Sequence, residues 1–320
     1  MSKKKAIEIA IDGANFLTRM IKPTGRFVYG YKSQDTLDEI SGYNVLRHAG
    51  SIWAIMCVDS VAPKKEYREK AKLAIDYMIK EYMVDYRGTS MIVEDGYAKL
   101  GGNGLAILSI LKWNTKRNKK YDEIILDLAR YITQCCMDYN GQFLYHKRNV
   151  KYDVDKGFVS EFYPGEAVLA LCEISNNTNE CFPDELTKIV NYYFNLREAI
   201  GTHIRDHWMI QAIESFGMNR WLEYARAIAK EEMKGWPKNK PGPTACRSEA
   251  LLSYINIEKD ESLKKKAKAH LEKMLKFQAS MQVREGMHKG GFLWSKTSDV
   301  LRNDVAQHNV CSFLRYSQMK

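Results

Sequence analysis

The sequence predicts an all-α fold in which six helical hairpins close into a ring, with short β-strands and long loops at one mouth. Two observations predict it. Charged amphipathic helices alternate with almost wholly apolar ones, and a short glycine–aromatic motif recurs between the two helices of several pairs. We expect residues 1–320 to form a single domain, because ring-shaped helical barrels reach this length as one unit.

The helices of the first type have one apolar stripe and one polar face. In Ala71, Ile75, Met78 and Ile79, for example, apolar residues recur at spacings of three and four, which buries one side of a helix. We interpret these as the outer helices of the hairpins. The predicted outer helices are Lys5–Ile21, Glu66–Tyr82, Asp122–Cys136, Asp184–Arg197, Trp221–Lys234 and Ser262–Ala279.

The helices of the second type are apolar on all sides, are rich in small residues and begin with a polar cluster. A helix without a polar face must be buried on every side, so we interpret these as the inner helices. Each follows an outer helix along the chain. The predicted inner helices are Tyr43–Val58, Gly102–Trp113, Tyr163–Ile174, Asp206–Phe216, Cys246–Ile255 and Asn303–Tyr316.

The recurring motif consists of a glycine, an aromatic residue, an aliphatic residue and a second aromatic residue. It occurs at Gly25–Tyr29, Gly141–Tyr145 and Gly291–Trp294, each time between an outer and an inner helix. Its alternation predicts a short strand at the mouth of the ring. Long loops, Tyr31–Gly42 and His146–Phe162, follow two of these strands and favour this mouth as the functional face.

Six outer–inner pairs with this motif resemble the (α/α)6 toroid superfamily, which includes glycosidases and sugar epimerases. The resemblance covers nearly the whole chain and implies the fold and a cavity lined by the starts of the inner helices. The sequence matches no catalytic motif of a specific family, so the resemblance implies no catalytic residues. The same toroid also carries prenyltransferase subunits and terpene and lanthionine cyclases, and therefore does not assign a function.

Carbohydrate chemistry is our leading hypothesis for the polar clusters at the starts of the inner helices. Glycoside hydrolysis requires two carboxyl groups, about 5–9.5 Å apart depending on its stereochemistry. Asp206 is the first candidate, because His207 and Trp208 follow it directly. Epimerase or lyase chemistry, in which a proton is removed, stays open as well. The predicted catalytic residues are Asp206, Glu249, Glu166 and Asp304.

The other polar and aromatic residues of these clusters are predicted to bind substrate. Arginines can hold a carboxylate or sulfate group and aromatic rings can stack on a sugar, so we expect an anionic small molecule or oligosaccharide. Each residue could instead be structural, as a helix cap or an ion-pair partner. The predicted binding residues are Arg47, His48, Asn103, Tyr163, His207, Trp208, Arg247, Arg302 and His308.

Three alternatives to carbohydrate chemistry remain open. Cys246 is predicted to open an inner helix, where the helix dipole and Arg247 would lower the pKa of its thiol, and with His308 or His48 it could perform acyl transfer. Cys246 with His207 and His308 could instead hold zinc. The chain could also be a non-catalytic toroid that binds a small ligand.

Composition narrows the class of protein. Seven cysteines, an odd number without C-x-x-C spacing, argue against a disulfide framework. With no apolar stretch of membrane-spanning length and no signal-like start, we expect a cytoplasmic protein without membrane contact. The net charge of +10 is not interleaved with stacking aromatic residues, so we expect no nucleic-acid partner. The leading hypothesis needs no cofactor.

Overall fold

A computed structural model describes residues 1–116, 118–155, 157–201, 204–217, 221–236 and 238–319. The helices are α1 Lys3–Arg19, α2 Val45–Asp59, α3 Lys65–Tyr82, α4 Leu100–Trp113, α5 Lys119–Arg130, α6 Tyr163–Asn177, α7 Pro183–Ile200, α8 His207–Phe216, α9 Leu222–Glu232, α10 Pro241–Ile257, α11 Glu261–Ser280 and α12 Asn303–Gln318. The strands are β1 Gly30–Tyr31, β2 Met83–Tyr86, β3 Thr89–Glu94, β4 Tyr97–Lys99, β5 Lys147–Asn149, β6 Val154–Asp155, β7 Leu293–Ser295 and β8 Ser298–Arg302.

The chain forms two compact units. The first unit comprises Met1–Met78 and Glu232–Lys320, and the second comprises Ile79–Glu231. In the first unit, α12 packs against α1, α2 and α10, and α10 also packs against α11. In the second unit, α6 packs against both α4 and α8. The inner helices therefore form the centre of each unit.

Burial confirms the two helix types. In α4 every residue from Leu100 to Leu111 is buried, whereas α3 buries only the stripe Tyr67, Ala71, Ala74, Ile75 and Met78. This is the difference expected between an inner and an outer helix. No helix within the described ranges is long and apolar enough to cross a membrane.

Among the described residues, two small antiparallel sheets accompany the helices. In the first unit the strand order is β1-β8-β7, with Gly30 opposite Arg302 and Tyr31 opposite Leu301. Because α12 starts directly after β8, this sheet fixes where the first turn of α12 begins. In the second unit the order is β2-β3-β4-β5-β6, and α4 follows β4 without a gap.

The glycine–aromatic motifs are turns rather than the predicted strands. Phe27, Phe143 and Phe292 are buried, and each forms one isolated antiparallel bridge, with Ile21, Met137 and Gln282 respectively. The third motif overlaps strand β7, and the first motif is followed directly by the two-residue strand β1. An isolated bridge forms here because the chain reverses within a few residues, which leaves no length for a ladder.

The glycine of each motif occupies the left-handed backbone region and touches a neighbouring helix. Gly25 and Gly141 have φ of 91° and 94°, and in the third motif the equivalent residue is Gly290, with φ of 93°, not Gly291. A β-carbon at these positions would overlap the backbone of α3, α7 and α1 respectively. Only glycine tolerates both the conformation and the close approach.

Two helix boundaries differ from the prediction. Helix α10 begins at Pro241, five residues before the predicted start at Cys246, because proline is well tolerated in the first turn of a helix. The predicted helix Asp122–Cys136 is α-helical only to Arg130 and continues as a π-helical turn over Tyr131–Cys136. The first difference changes the chemistry expected of Cys246.

Candidate functional site

The main cluster of functional side chains in the first unit lies between α10 and α12. Cys246 and Glu249 are three residues apart on α10 and therefore project from the same side of that helix. His308 projects towards them from α12, and its Nδ1 lies 3.1 Å from Oε2 of Glu249. Two adjacent inner helices thus bring a thiol, a carboxylate and an imidazole together.

The carboxylate and the imidazole differ in exposure. The Glu249 side chain has no exposed surface, whereas 17% of the His308 side chain is exposed. Burial raises the pKa of Glu249. Burial alone would lower the pKa of His308, but its interactions with Cys246 and Glu249 outweigh burial and raise that pKa well above its usual value. The pair therefore holds a proton tightly, and His308 is the member that an external molecule can reach.

The structure corrects the prediction of an activated thiol at Cys246. Because α10 begins at Pro241, Cys246 lies in the second turn, away from the positive end of the helix dipole. Burial raises the pKa of this thiol, although His308 beside it acts in the opposite direction. Arg247 is directed to Glu232 instead, with Nε 3.7 Å from Oε2 of Glu232. The thiol is therefore protonated at neutral pH.

A chain of buried hydrogen bonds fixes α10 relative to α12. Gln278 of α11 donates from Nε2 to Oγ of Ser248 at 2.6 Å, and Ser312 of α12 donates from Oγ to Oε1 of Gln278 at 2.8 Å. Ser248 stands between Cys246 and Glu249, and Ser312 lies one turn beyond His308. Buried networks of this kind hold functional groups in one arrangement.

A second cluster in the same unit surrounds Asp304, one turn before His308 on α12. Oδ2 of Asp304 lies 3.1 Å from Nε of Arg47 and 2.5 Å from an amino nitrogen of Arg302. The guanidinium of Arg302 lies 4.2 Å from the ring centre of Trp294. Arg47 lies 4.9 Å from the ring centre of Tyr29 and donates a hydrogen bond to its hydroxyl. Two cations and one anion give this cluster one net positive charge.

The packing of His48 favours the structural alternative to its predicted role in binding substrate. The side chain is completely buried, and Nε2 lies 2.8 Å from the backbone carbonyl oxygen of Ala74. Its ring packs against Phe27, Tyr43 and Tyr77. Burial lowers the pKa of His48 to about 4, so the ring is neutral at pH 7.

In the second unit, Asp206 is the N-cap of α8. One carboxylate oxygen accepts a hydrogen bond from the Met209 amide at 2.9 Å, and the other accepts one from Arg197 at 3.2 Å. Asp206 has no exposed surface, and the Arg197 side chain is only 7% exposed. Burial raises the pKa of Asp206 despite the adjacent guanidinium. This arrangement favours the structural alternative for Asp206.

The other predicted residues of the second unit divide into two groups. Asn103 is completely buried; its side-chain oxygen accepts from the Ile92 amide and its side-chain nitrogen donates to the Lys99 carbonyl. These bonds favour the structural alternative for Asn103, because both ends of the amide join backbone segments. Glu166 and Tyr163, in contrast, are neighbours around Gly101, where a β-carbon would overlap the Glu166 carboxylate.

His207 and Trp208 begin α8 and are almost completely buried, with exposed fractions of 4% and 2%. The two ring centres are 4.9 Å apart, and Phe162 lies 5.7 Å from His207. Trp208 therefore contributes to packing, which favours a structural role over the predicted aromatic platform for a sugar ring.

Sequence reasoning missed several partners of the site. Arg197 belongs to an outer helix, and nothing in the neighbouring sequence indicates that it forms a buried ion pair with Asp206. Gln278 is equally inconspicuous on α11. Tyr29 and Trp294 were visible as the final aromatic residues of two motifs, but their contacts with Arg47 and Arg302 depend on β1, β7 and β8 meeting in one sheet.

Comparison with solved structures shows strong similarity over almost the whole chain. Cellobiose 2-epimerase from Bacillus thermoamylovorans superposes with a TM-score of 0.73 at 14% identity, covering 98% of this chain and 99% of that one. A D-mannose isomerase gives 0.72 at 11% identity, with coverage of 97% and 95%. A family 76 glycoside hydrolase (mannosidase) from Bacteroides thetaiotaomicron gives 0.69 at 12% identity, with 98% of each chain covered.

These similarities confirm the predicted fold class, the (α/α)6 toroid. At such identities they show the fold alone. No protein-family model matches the sequence, and no curated protein matches it either. Function must therefore be argued from the side chains.

Proposed function

We propose that the chain is a carbohydrate-active enzyme in which His308, oriented by Glu249, transfers a proton to or from the sugar. The observation that carries this proposal is the Nδ1–Oε2 distance of 3.1 Å between a partly exposed histidine and a fully buried carboxylate. The fold supports a carbohydrate substrate, because the solved structures similar to it include sugar epimerases, a mannose isomerase and a mannosidase.

In the proposed mechanism Glu249 is a positioning residue and His308 is the catalytic one. The carboxylate fixes the orientation of the imidazole ring and stabilises its protonated form. The ring nitrogen that does not face Glu249 can then exchange a proton with the substrate. Abstraction of a proton from the carbon beside a sugar carbonyl, followed by its return, leads to epimerisation or aldose–ketose isomerisation.

The same geometry disfavours hydrolysis by paired carboxylates as the leading reaction. Glu249 is fully buried, and the Asp304 carboxylate lies against two arginines. A general acid must donate a proton to the leaving group, whereas the Asp304 carboxylate is engaged by two guanidinium groups. Hydrolysis remains the second candidate because of the similarity to a mannosidase.

The Asp304 cluster is the proposed binding region for a polar group of the sugar. Arg47 and Arg302 expose 30% and 17% of their side chains, respectively, so a molecule in the solvent can reach both side chains. The net positive charge favours an anionic group on the saccharide. Asp304 offsets part of this charge, so we expect the preference for an anion to be moderate.

The experiment is turnover of a panel of neutral and acidic mono- and disaccharides in D2O, followed by NMR. Epimerisation or isomerisation incorporates solvent deuterium at the reacting carbon, whereas hydrolysis releases a new reducing end without such incorporation. His308→Asn should abolish incorporation, and His270→Asn on outer helix α11 is the matched control. The proposal fails if the wild-type protein neither exchanges deuterium nor cleaves any member of the panel.

A further inference from the structure

The cluster between α10 and α12 contains three different types of zinc ligand. Cys246 offers a sulfur atom, Glu249 a carboxylate oxygen and His308 a ring nitrogen, and these atoms lie within 4.8 Å of one another. We propose that Cys246, Glu249 and His308 form a binding site for Zn²⁺. The site itself does not depend on the proposed function.

The distances suit the coordination chemistry of zinc. Zinc binds thiolate, imidazole and carboxylate ligands at about 2.0–2.3 Å, usually in a tetrahedron. Ligand atoms in such a tetrahedron are separated by about 3.3–3.8 Å, so small side-chain rotations from the present arrangement suffice. Mg²⁺ and Ca²⁺ prefer oxygen ligands alone, and a site with sulfur and nitrogen therefore selects against them.

The protein also supplies rigidity and a path of entry. The hydrogen-bonded chain Ser248–Gln278–Ser312 ties together the three helices around the site. Supporting bonds of this kind keep metal ligands aligned. Cys246 is half-buried and His308 is partly exposed, so an ion can reach the cluster from the side on which these two residues lie.

Binding exchanges two protons for the metal without any redox change. The Cys246 S–H bond breaks as a Zn–S bond forms, and the proton held by the His308–Glu249 pair leaves as each of these residues donates a lone pair to Zn²⁺. Both protons pass to solvent, and His308 bound to Zn²⁺ can no longer carry the proton that the proposed transfer requires. Bound Zn²⁺ should therefore inhibit turnover, and this consequence alone rests on the proposed function.

Cobalt is the direct probe, because a thiolate bound to Co²⁺ gives a charge-transfer absorption band in the near ultraviolet. We expect the full-length, chelator-treated protein to bind one Co²⁺ per chain with this band, and Zn²⁺ to displace it. Cys246→Ser should abolish the band, whereas Cys181→Ser, which changes an exposed cysteine outside the cluster, should leave it unchanged. Absence of the band in the wild type, or its persistence in Cys246→Ser, would overturn the proposal.

Alkylation of the wild-type protein provides a test that does not depend on the folding of a variant. Iodoacetamide labelling is followed at each cysteine by peptide mass spectrometry, with and without Zn²⁺. We expect Zn²⁺ to slow labelling of Cys246 at least tenfold and to leave Cys181 unaffected. Equal labelling of Cys246 under both conditions contradicts the proposal.

The two proposals fail separately. A cobalt band in a protein that turns over no saccharide supports the metal site and removes the proposed function. Turnover without a cobalt band removes the metal site and leaves the proposed function intact. If the band is present and Zn²⁺ does not inhibit turnover, the metal site stands and His308 is not the group that transfers the proton.

Discussion

Each unit contains a completely buried carboxylate at an inner helix, and the two differ in their partners. In the first unit Glu249 faces His308, which is partly exposed and can gain or lose a proton. In the second unit Asp206 faces Arg197, which is buried and permanently charged, and also caps α8. A buried carboxylate next to a titratable, accessible partner can support chemistry, whereas one next to a buried guanidinium mainly supports the fold.

The structural role of the Asp206–Arg197 pair is tested by the substitution with the largest expected effect on stability. Asp206→Asn keeps an acceptor for the Met209 amide but leaves the buried charge of Arg197 without its anion. We expect the free energy of unfolding to fall by about 3–5 kcal/mol in chemical denaturation. Asp127→Asn, which removes an exposed pair with Arg130, should cost less than about 1 kcal/mol. If Asp206→Asn is as stable as the wild type but inactive, Asp206 is catalytic, as the sequence suggested.

The catalytic side of the comparison is tested by Glu249→Gln. This variant preserves shape and a hydrogen-bond acceptor but removes the charge that orients and stabilises protonated His308. We expect kcat to fall about 10³-fold, within the range of general acid–base catalysis, while the KM of the substrate changes little. A variant that loses KM and kcat together, or retains full turnover, contradicts the positioning role.

Two histidines of the first unit, His48 and His308, are expected to respond differently to pH. The pKa of buried His48 falls to about 4, opposite in direction to that of His308. Unfolded His48 takes up a proton near pH 6.5, whereas folded His48 does not. The stability that neutral His48 contributes to the folded state is therefore complete above pH 6.5 and is lost as the pH falls towards 4. We expect this contribution to amount to about 3 kcal/mol.

The measurement is the free energy of unfolding from pH 7 to pH 4 for the wild type and His48→Gln. The variant should lose less stability over this range, by up to about 3 kcal/mol. His270→Gln, on a helix surface, serves as the control for changes in the unfolded state. Parallel curves for all three proteins would show that His48 does not titrate with folding.

The smallest expected effect concerns the Asp304 cluster. Arg302→Gln removes one of its two cations, so KM for an acidic saccharide should rise about tenfold, which corresponds to one charge-assisted hydrogen bond of about 1.4 kcal/mol. For a neutral analogue KM should hardly change. Arg226→Gln, which disrupts an exposed pair with Glu223, is the charge-matched control. An equal rise of KM for both sugars contradicts recognition of an anion.

The periodicity of the sequence was sufficient to predict the fold class and the order of outer and inner helices. The start of α10 was missed because Pro241, Gly242 and Pro243 individually resemble helix breakers, although a first turn needs no backbone donors from its leading residues. That error moved Cys246 to a helix end and produced the wrong pKa direction for its thiol. Local signals therefore fix helix type better than helix boundaries.

The site residues could be predicted only in part, because their side chains pair with residues that are far away in the sequence. Glu249 and His308 were each named, but nothing local showed that they face each other across 59 residues. Periodicity also placed His48 and Asn103 among the polar starts of inner helices without showing that their polar atoms bond to backbone groups. Whether a polar residue is functional or structural depends on its partner, and the partner is set by tertiary packing.

The turns at Gly25, Gly141 and Gly290 have one consequence for how this sequence can change over time. Each glycine rests on the main chain of a helix, and main-chain atoms are the same whatever side chain the helix carries. The contact therefore restricts the residue type at the glycine position but not at the helix position that it touches. An alignment of homologues should show glycine retained at these three positions, while Asp12, Leu73 and Lys188, whose backbones they touch, vary without restriction from this contact.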